Sequence, residues 1–144
     1  MRAMSDAHPF TVQTNAAQPL RYMRWWKAGG YSLVLAVIAL SLVPNGPQID
    51  IEQGDKLGHF MAYGSLMFWF SQLEVSRRRV ICAVAFIALG ISLEFLQSLT
   101  DYRSYDPLDM VANTTGVILG WLLALPGGDV FRRIESCLLK QRVH

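Results

Sequence analysis

Four long apolar runs, separated by short polar segments, are the main pattern along this chain. They predict helices over about 25–43, 56–75, 80–99 and 107–125. A helix of about 20 residues rises 1.5 Å per residue and so crosses a hydrocarbon core of roughly 30 Å. The pattern therefore predicts an all-α protein, a four-helix transmembrane bundle.

Residues that end or start helices mark the edges of these runs. Segments 44–47 (PNGP) and 126–128 (PGG) end the first and fourth helices, because proline and glycine disfavour a continuing helix. Asp55 is predicted to cap the second helix. Asp106 is predicted to cap the fourth, with Pro107 as its first helical residue.

The two ends of the chain differ from the apolar centre. Residues 1–20 lack an apolar period and are predicted to form a flexible cytoplasmic tail, followed by a membrane domain over 21–128. In 129–144 the apolar residues recur at helical spacing, which predicts a short amphipathic helix on the inner membrane surface. The alternative for that segment is a frayed soluble tail. A signal peptide is disfavoured for the first run, because the run begins late and no cleavage site follows it.

The charge distribution predicts the orientation. Charged residues make up 17% of the chain, against about 25% in an average soluble domain. All but two of the 13 lysines and arginines lie on one predicted side, where the positive-inside rule places the cytoplasm. We therefore expect a multi-pass protein of the bacterial cytoplasmic (inner) membrane with both termini inside. No basic stripe suited to nucleic acid is present. The cytoplasmic set is Arg2, Arg21, Arg24, Lys27, Arg77, Arg78, Arg79, Arg132, Arg133, Lys140 and Arg142; the outer pair is Lys56 and Arg103.

Polar residues recur in the outer halves of the second, third and fourth helices. Helical rise places His59, Glu94 and Asn113 about 6–10 Å inside the membrane, at similar depth. Charged groups facing lipid are costly, so these side chains are expected to face one another. We predict one polar ligand-binding cluster that opens outward. Its predicted members are Asp55, Lys56, His59, Glu94, Gln97, Arg103, Asp109 and Asn113.

Each of these residues also has a structural interpretation. Asp55 and Asp109 suit helix starts, Lys56 suits the outer headgroups, and the two amides suit interhelical hydrogen bonds. Glu94 is the hardest to explain in this way, because a carboxyl at its depth needs a partner or a raised pKa. An ionisable residue inside a membrane is a functional-site hypothesis by default.

The ordered set of residues resembles the signature of the VanZ-like family over about residues 55–120. The resemblance implies a small integral membrane protein, and the family's namesake is associated with low-level resistance to the glycopeptide teicoplanin. Most members have no assigned activity. The sequence departs from the pattern at Asp101-Tyr102, where proline or glycine is expected. The motifs are Asp55-Lys56-x-x-His59-Phe60, Glu94-x-x-Gln97, Arg103, Asp109, Asn113, Gly116 and Gly120.

Three functions remain open at this point. The first is binding of an outer-leaflet lipid, cell-wall precursor or glycopeptide, which would modulate the cell envelope or teicoplanin susceptibility. The second is an intramembrane enzyme for a lipid-linked substrate, with His59 and Glu94 as catalytic acid and base. The third is a hydrogen-bond lock between helices. No nucleophile motif is present, and His8 and His144 lie in the tails, so we expect no metal and no other cofactor. These observations disfavour a metal hydrolase and weigh against an enzyme, but they leave a non-metal transferase open. The oligomeric state stays open.

Overall fold

The computed structural model describes residues 20–43, 54–100, 105–125 and 130–141, and these ranges are helical apart from short connections. The described residues contain no strand, which confirms the all-α prediction for this part of the chain. The helices are α1 (Met23–Leu42), α2 (Gly54–Leu73), α3 (Ser76–Ser98), α4 (Pro107–Ala124) and α5 (Val130–Gln141).

The predicted helix starts are partly correct. The Asp106 carboxylate accepts a hydrogen bond from the Leu108 N–H over 2.8 Å, and Pro107 begins α4 as predicted. The prediction for Asp55 is wrong, because α2 already begins at Gly54 and Asp55 lies within its first turn. Helix α3 begins at Ser76, earlier than predicted, so arginines 77–79 belong to its first turn.

Three of the described helices, α1, α3 and α4, are long and apolar enough to cross a membrane. Helix α2 is not among them, so four membrane spans are not confirmed. Its lower hydropathy has a structural reason, because α2 is packed against α1, α3 and α4. Side chains that face other helices avoid the cost of contact with lipid, so an enclosed helix tolerates more polar residues.

Helices α2 and α4 pack with their backbones in close contact. A β-carbon on Gly116 would overlap the Phe60 carbonyl oxygen, and one on Gly120 would overlap the Gly64 carbonyl oxygen. Small residues allow such an approach between membrane helices, where close packing contributes much of the association energy. The two glycines of α4 are therefore required by the contact with α2.

The apolar residues lie both inside the bundle and on its surface. Tyr63, Leu66 and Met67 of α2 are almost completely buried among side chains of the other helices. Meanwhile Ile81 of α3 and Leu122 of α4 are more than half exposed. Large exposed apolar surfaces are unusual for a soluble monomer and are expected where lipid surrounds the protein.

Helix α5 docks against the start of α1. The Phe131 ring stacks on Trp26, with centroids 4.1 Å apart, and meets Trp69 edge-on. The Glu135 carboxylate accepts hydrogen bonds from the Trp26 indole and from the Arg21 and Tyr22 N–H groups, at 2.7–2.9 Å. The amphipathic helix is therefore present, and the frayed-tail alternative is wrong for 130–141. Its place on the inner membrane surface stays a prediction.

Candidate functional site

The polar cluster lies at the end of the bundle where α2 begins, α3 ends and α4 begins. This arrangement follows from the antiparallel order of the three helices. It brings together most of the predicted ionisable site residues, although they are far apart in the sequence. We define the polar cluster as Asp55, Lys56, His59, Glu94, Asp106 and Asp109.

Lys56 is the centre of the charged contacts in the polar cluster. Its Nζ lies 2.7 Å from Asp106 Oδ2, 3.5 Å from Asp55 Oδ2 and 3.7 Å from Asp109 Oδ1. The hydrogen bond from Lys56, followed by that from the Leu108 N–H, lowers the pKa of the Asp106 carboxyl. Lys56 therefore links the first turn of α2 to the start of α4, with its charge surrounded by carboxylates.

Asp106 is a member of the cluster that the sequence interpretation missed. It was predicted only as a helix cap, yet it also receives the hydrogen bond from Lys56. Its spacing contained the signal, since Asp106 and Asp109 are three residues apart and so share one side of α4.

Glu94 is the most deeply buried carboxylate of the cluster, with 1% of its surface exposed. Its Oε1 accepts a hydrogen bond from the Asp106 N–H over 2.8 Å, which ties the end of α3 to the start of α4. The other oxygen, Oε2, has no hydrogen-bond partner among the described residues. Glu94 therefore has one oxygen in a structural contact and one buried oxygen available to a ligand.

His59 and Asp109 face each other between α2 and α4. His59 Nε2 lies 3.6 Å from Asp109 Oδ2, which is beyond the usual hydrogen-bond range. One ligand atom from each of His59, Glu94 and Asp109 lies within 4.8 Å of the other two. The three side chains come from three helices and bring one nitrogen and two oxygen atoms close together.

Gln97 and Asn113 are buried between helices, as their amide chemistry predicts. Gln97 Nε2 donates to the Ser41 carbonyl oxygen over 2.6 Å, which joins α3 to the end of α1. The Asn113 side chain lies against Gly90, where an added β-carbon would approach its Nδ2 to 3.0 Å. These contacts support the interpretation of both amides as links between helices.

Arg103 and the neighbouring Asp101-Tyr102 lie outside the described residues. The same is true of His8 and His144. The predicted role of Arg103 in ligand binding therefore stays a prediction.

Comparison with known proteins identifies the family. The VanZ/LLP1 family model matches residues 4–132, so the chain belongs to the VanZ/LLP1 family. This confirms the resemblance and extends it on both sides of residues 55–120, up to the first residues of α5. An uncharacterized protein, C11E3.10 of Schizosaccharomyces pombe, is 30% identical over 120 residues, covering 77% of this chain and 73% of the relative. No solved structure matches the chain.

Proposed function

We propose that the chain crosses the bacterial inner membrane four times, with both termini in the cytoplasm and the polar cluster in the outer leaflet. The docking of α5 on the start of α1 supports this, because it puts the beginning of α1 and the whole of α5 at one end of the bundle. The arginines of 77–79 lie at the same end, in the first turn of α3. Positive residues favour the cytoplasmic side. The polar cluster lies at the opposite end, where α2 begins.

Within this arrangement, we propose that the polar cluster binds the headgroup of an outer-leaflet amphiphile and thereby modulates the cell envelope. Glu94 carries the proposal, because it is almost fully buried while its Oε2 has no hydrogen-bond partner among the described residues. On insertion scales, a charged side chain in the middle of a membrane helix costs about 2.5–3.5 kcal/mol. A bound headgroup that donates a hydrogen bond to Glu94 Oε2 would offset part of this cost. No group among the described residues donates a hydrogen bond to that oxygen.

The experiment is a ligand screen by melting temperature in mild detergent. Phosphatidylglycerol, phosphatidylethanolamine and teicoplanin are added in turn to wild type, Glu94→Gln and Glu74→Gln. Glu74 is a matched control, since it is a carboxylate paired with Lys27 at the other end of the bundle. We expect one probe to raise the melting temperature of wild type and Glu74→Gln by several degrees, with little effect on Glu94→Gln. Equal shifts in all three proteins, or none with any probe, would contradict headgroup binding at this cluster.

The second candidate is the structural lock, favoured by the hydrogen bonds that Glu94 and Gln97 make between helices. Such bonds contribute roughly 0.6 kcal/mol each on average in membranes, which is little against the cost of burying charge. The lock predicts that Glu94→Gln melts several degrees below wild type when no ligand is added. An unchanged or higher value supports the ligand site, because functional groups are often retained at a cost in stability.

A further inference from the structure

The polar cluster is rich in carboxylates, and its deeper half, formed by His59, Glu94 and Asp109, is largely buried. The carboxylates of Asp55, Asp106 and Asp109 lie 2.7–3.7 Å from the Lys56 ammonium. A fourth carboxylate, that of Glu94, accepts a hydrogen bond from the Asp106 N–H. Lys56 donates its short hydrogen bond to Asp106, at the outer edge of the cluster. The buried pair, Glu94 and Asp109, is 1–2% exposed and lies where negative charge is most costly. Two buried carboxylates and one imidazole therefore meet in this deeper half of the cluster.

The three side chains of this deeper half offer the atom types that a metal ion binds, at a spacing that could hold one. Tetrahedral zinc has ligand bonds of 2.0–2.2 Å, which separates neighbouring ligand atoms by roughly 3.3–3.6 Å. The distance of 3.6 Å between His59 Nε2 and Asp109 Oδ2 matches this edge, although it is too long for a good hydrogen bond. One ring nitrogen of His59 and one carboxylate oxygen each of Glu94 and Asp109 lie within 4.8 Å of one another.

The free oxygen of Glu94 is a second, independent observation that indicates a ligand. It is buried, it belongs to the same cluster, and it has no hydrogen-bond partner among the described residues. The other oxygen is held by the Asp106 N–H, which orients the carboxylate. Outer contacts of this kind are typical of metal-binding carboxylates.

We infer that His59, Glu94 and Asp109 bind one divalent cation of the zinc class. One imidazole nitrogen and two carboxylate oxygens suit zinc, and three protein ligands leave a fourth position open. This inference deepens the proposed function and rests on it in one respect: the open position would accept a phosphate oxygen of the headgroup. The positive charge of the cation would then offset the repulsion between the carboxylates of the site and an anionic ligand.

Metal binding is tested on the full chain in mild detergent, purified without a polyhistidine tag. Zn²⁺ is titrated against a chelating dye into wild type, His59→Gln, Glu94→Gln and the control Glu74→Gln. We expect about one ion per chain in wild type and in the control, and at least roughly tenfold weaker binding in the other two variants. Equal affinity in all four proteins, or no binding in wild type, would overturn the inference.

A second variant keeps the test decisive if the glutamine variants fold poorly. His59→Cys supplies a thiolate in place of the imidazole, and Co²⁺ replaces Zn²⁺ as the probe. We expect a sulfur-to-cobalt charge-transfer band in this variant and only visible ligand-field bands in wild type. Absence of the charge-transfer band from folded His59→Cys would contradict a metal ligand at this position.

Parallel lipid measurements separate the two proposals. If wild type binds no Zn²⁺ but an added lipid still raises its melting temperature, headgroup binding stands and the metal site fails. If the protein binds Zn²⁺ but no amphiphile changes its melting temperature, the metal site stands and the proposed function fails.

Discussion

Gly120 lies so close to Gly64 that a β-carbon on Gly120 would overlap the Gly64 carbonyl oxygen. This contact fixes the distance between α2 and α4 in the bundle. On α2, His59 is five residues before Gly64, and on α4, Asp109 is seven residues before Gly116. The separation of His59 and Asp109 therefore depends on glycines that have no chemical role in the site.

The glycine contact can be tested directly. Gly116→Ala and Gly120→Ala should each destabilise the protein by roughly 1–3 kcal/mol, because the added methyl groups overpack the interface. The measurement is thermal or denaturant unfolding in detergent. Gly58→Ala is the matched control, since a β-carbon there meets nothing within 4 Å. It should be neutral, or more stable by up to about 1 kcal/mol from helix propensity. Similar behaviour of Gly58→Ala and Gly120→Ala would exclude close packing as the reason for these glycines.

The docking of α5 should depend on pH through Glu135. Burial raises the pKa of Glu135, but hydrogen bonds from the Tyr22 N–H, the Trp26 indole and the Arg21 N–H outweigh it and hold the pKa below its usual value of 4.5. The stabilisation is therefore complete above the unfolded pKa and is lost as pH falls through the lower folded value. Hydrogen exchange of amides in 130–141 should show α5 protected at neutral pH and released in acid.

The control for this pH dependence is Glu135→Gln, which keeps an acceptor oxygen but cannot ionise. Its α5 should be less protected than that of wild type at neutral pH and should show little further loss in acid. An identical acid transition in both proteins would assign the transition to another group.

Aromatic packing should hold α5 independently of pH. Phe131 is 5% exposed and stacks on Trp26, so Phe131→Ala should remove about 3 kcal/mol of docking free energy. Amide exchange in 130–141 should rise strongly while the protection of α2 changes little. Leu138→Ala is the control, because Leu138 is about half exposed. If Leu138→Ala released α5 as readily as Phe131→Ala, the aromatic stack would not be its anchor.

The native cysteines offer a test of topology. Cys137 is exposed on α5, whereas Cys82 lies in α3. In a Cys82→Ser background, a membrane-impermeant maleimide should leave Cys137 unlabelled in intact spheroplasts and label it after permeabilisation. A Gln48→Cys variant without native cysteines, in the predicted outer loop, should label in intact spheroplasts. Labelling of Cys137 before permeabilisation would reverse the proposed orientation.

The sequence predicted those structural features best that are determined by residues close together in the chain. Asp106 and Pro107 define the start of α4 by chemistry within a few residues, and the structure begins α4 there. The contact of Glu94 with the Asp106 N–H could not be read from spacing, because it joins two helices through a loop. The same holds for Glu135, whose partners Arg21 and Tyr22 are more than 110 residues away in the chain.

The candidate metal ligands show a related limit of sequence patterns. The sequence contains no pair of histidines at the spacing of metal ligands, so it predicted no metal. His59, Glu94 and Asp109 are contributed singly by three helices, and only the packing of α2, α3 and α4 brings them together. Helical rise predicted the depth of these residues, and the cost of charge in lipid predicted that their faces meet. The distances between individual atoms of the three side chains could not be predicted in this way.

The enclosed position of α2 has a consequence for how the chain is made. Among the described helices long enough to cross a membrane, α2 has the weakest apolar character, and its closest backbone contacts are with α4, which is synthesised later. If α2 crosses the membrane as proposed, it must leave the ribosome before the surface that shelters its polar residues exists. We therefore expect α2 to stay at the insertion machinery, without its final packing partner, until α4 has been synthesised.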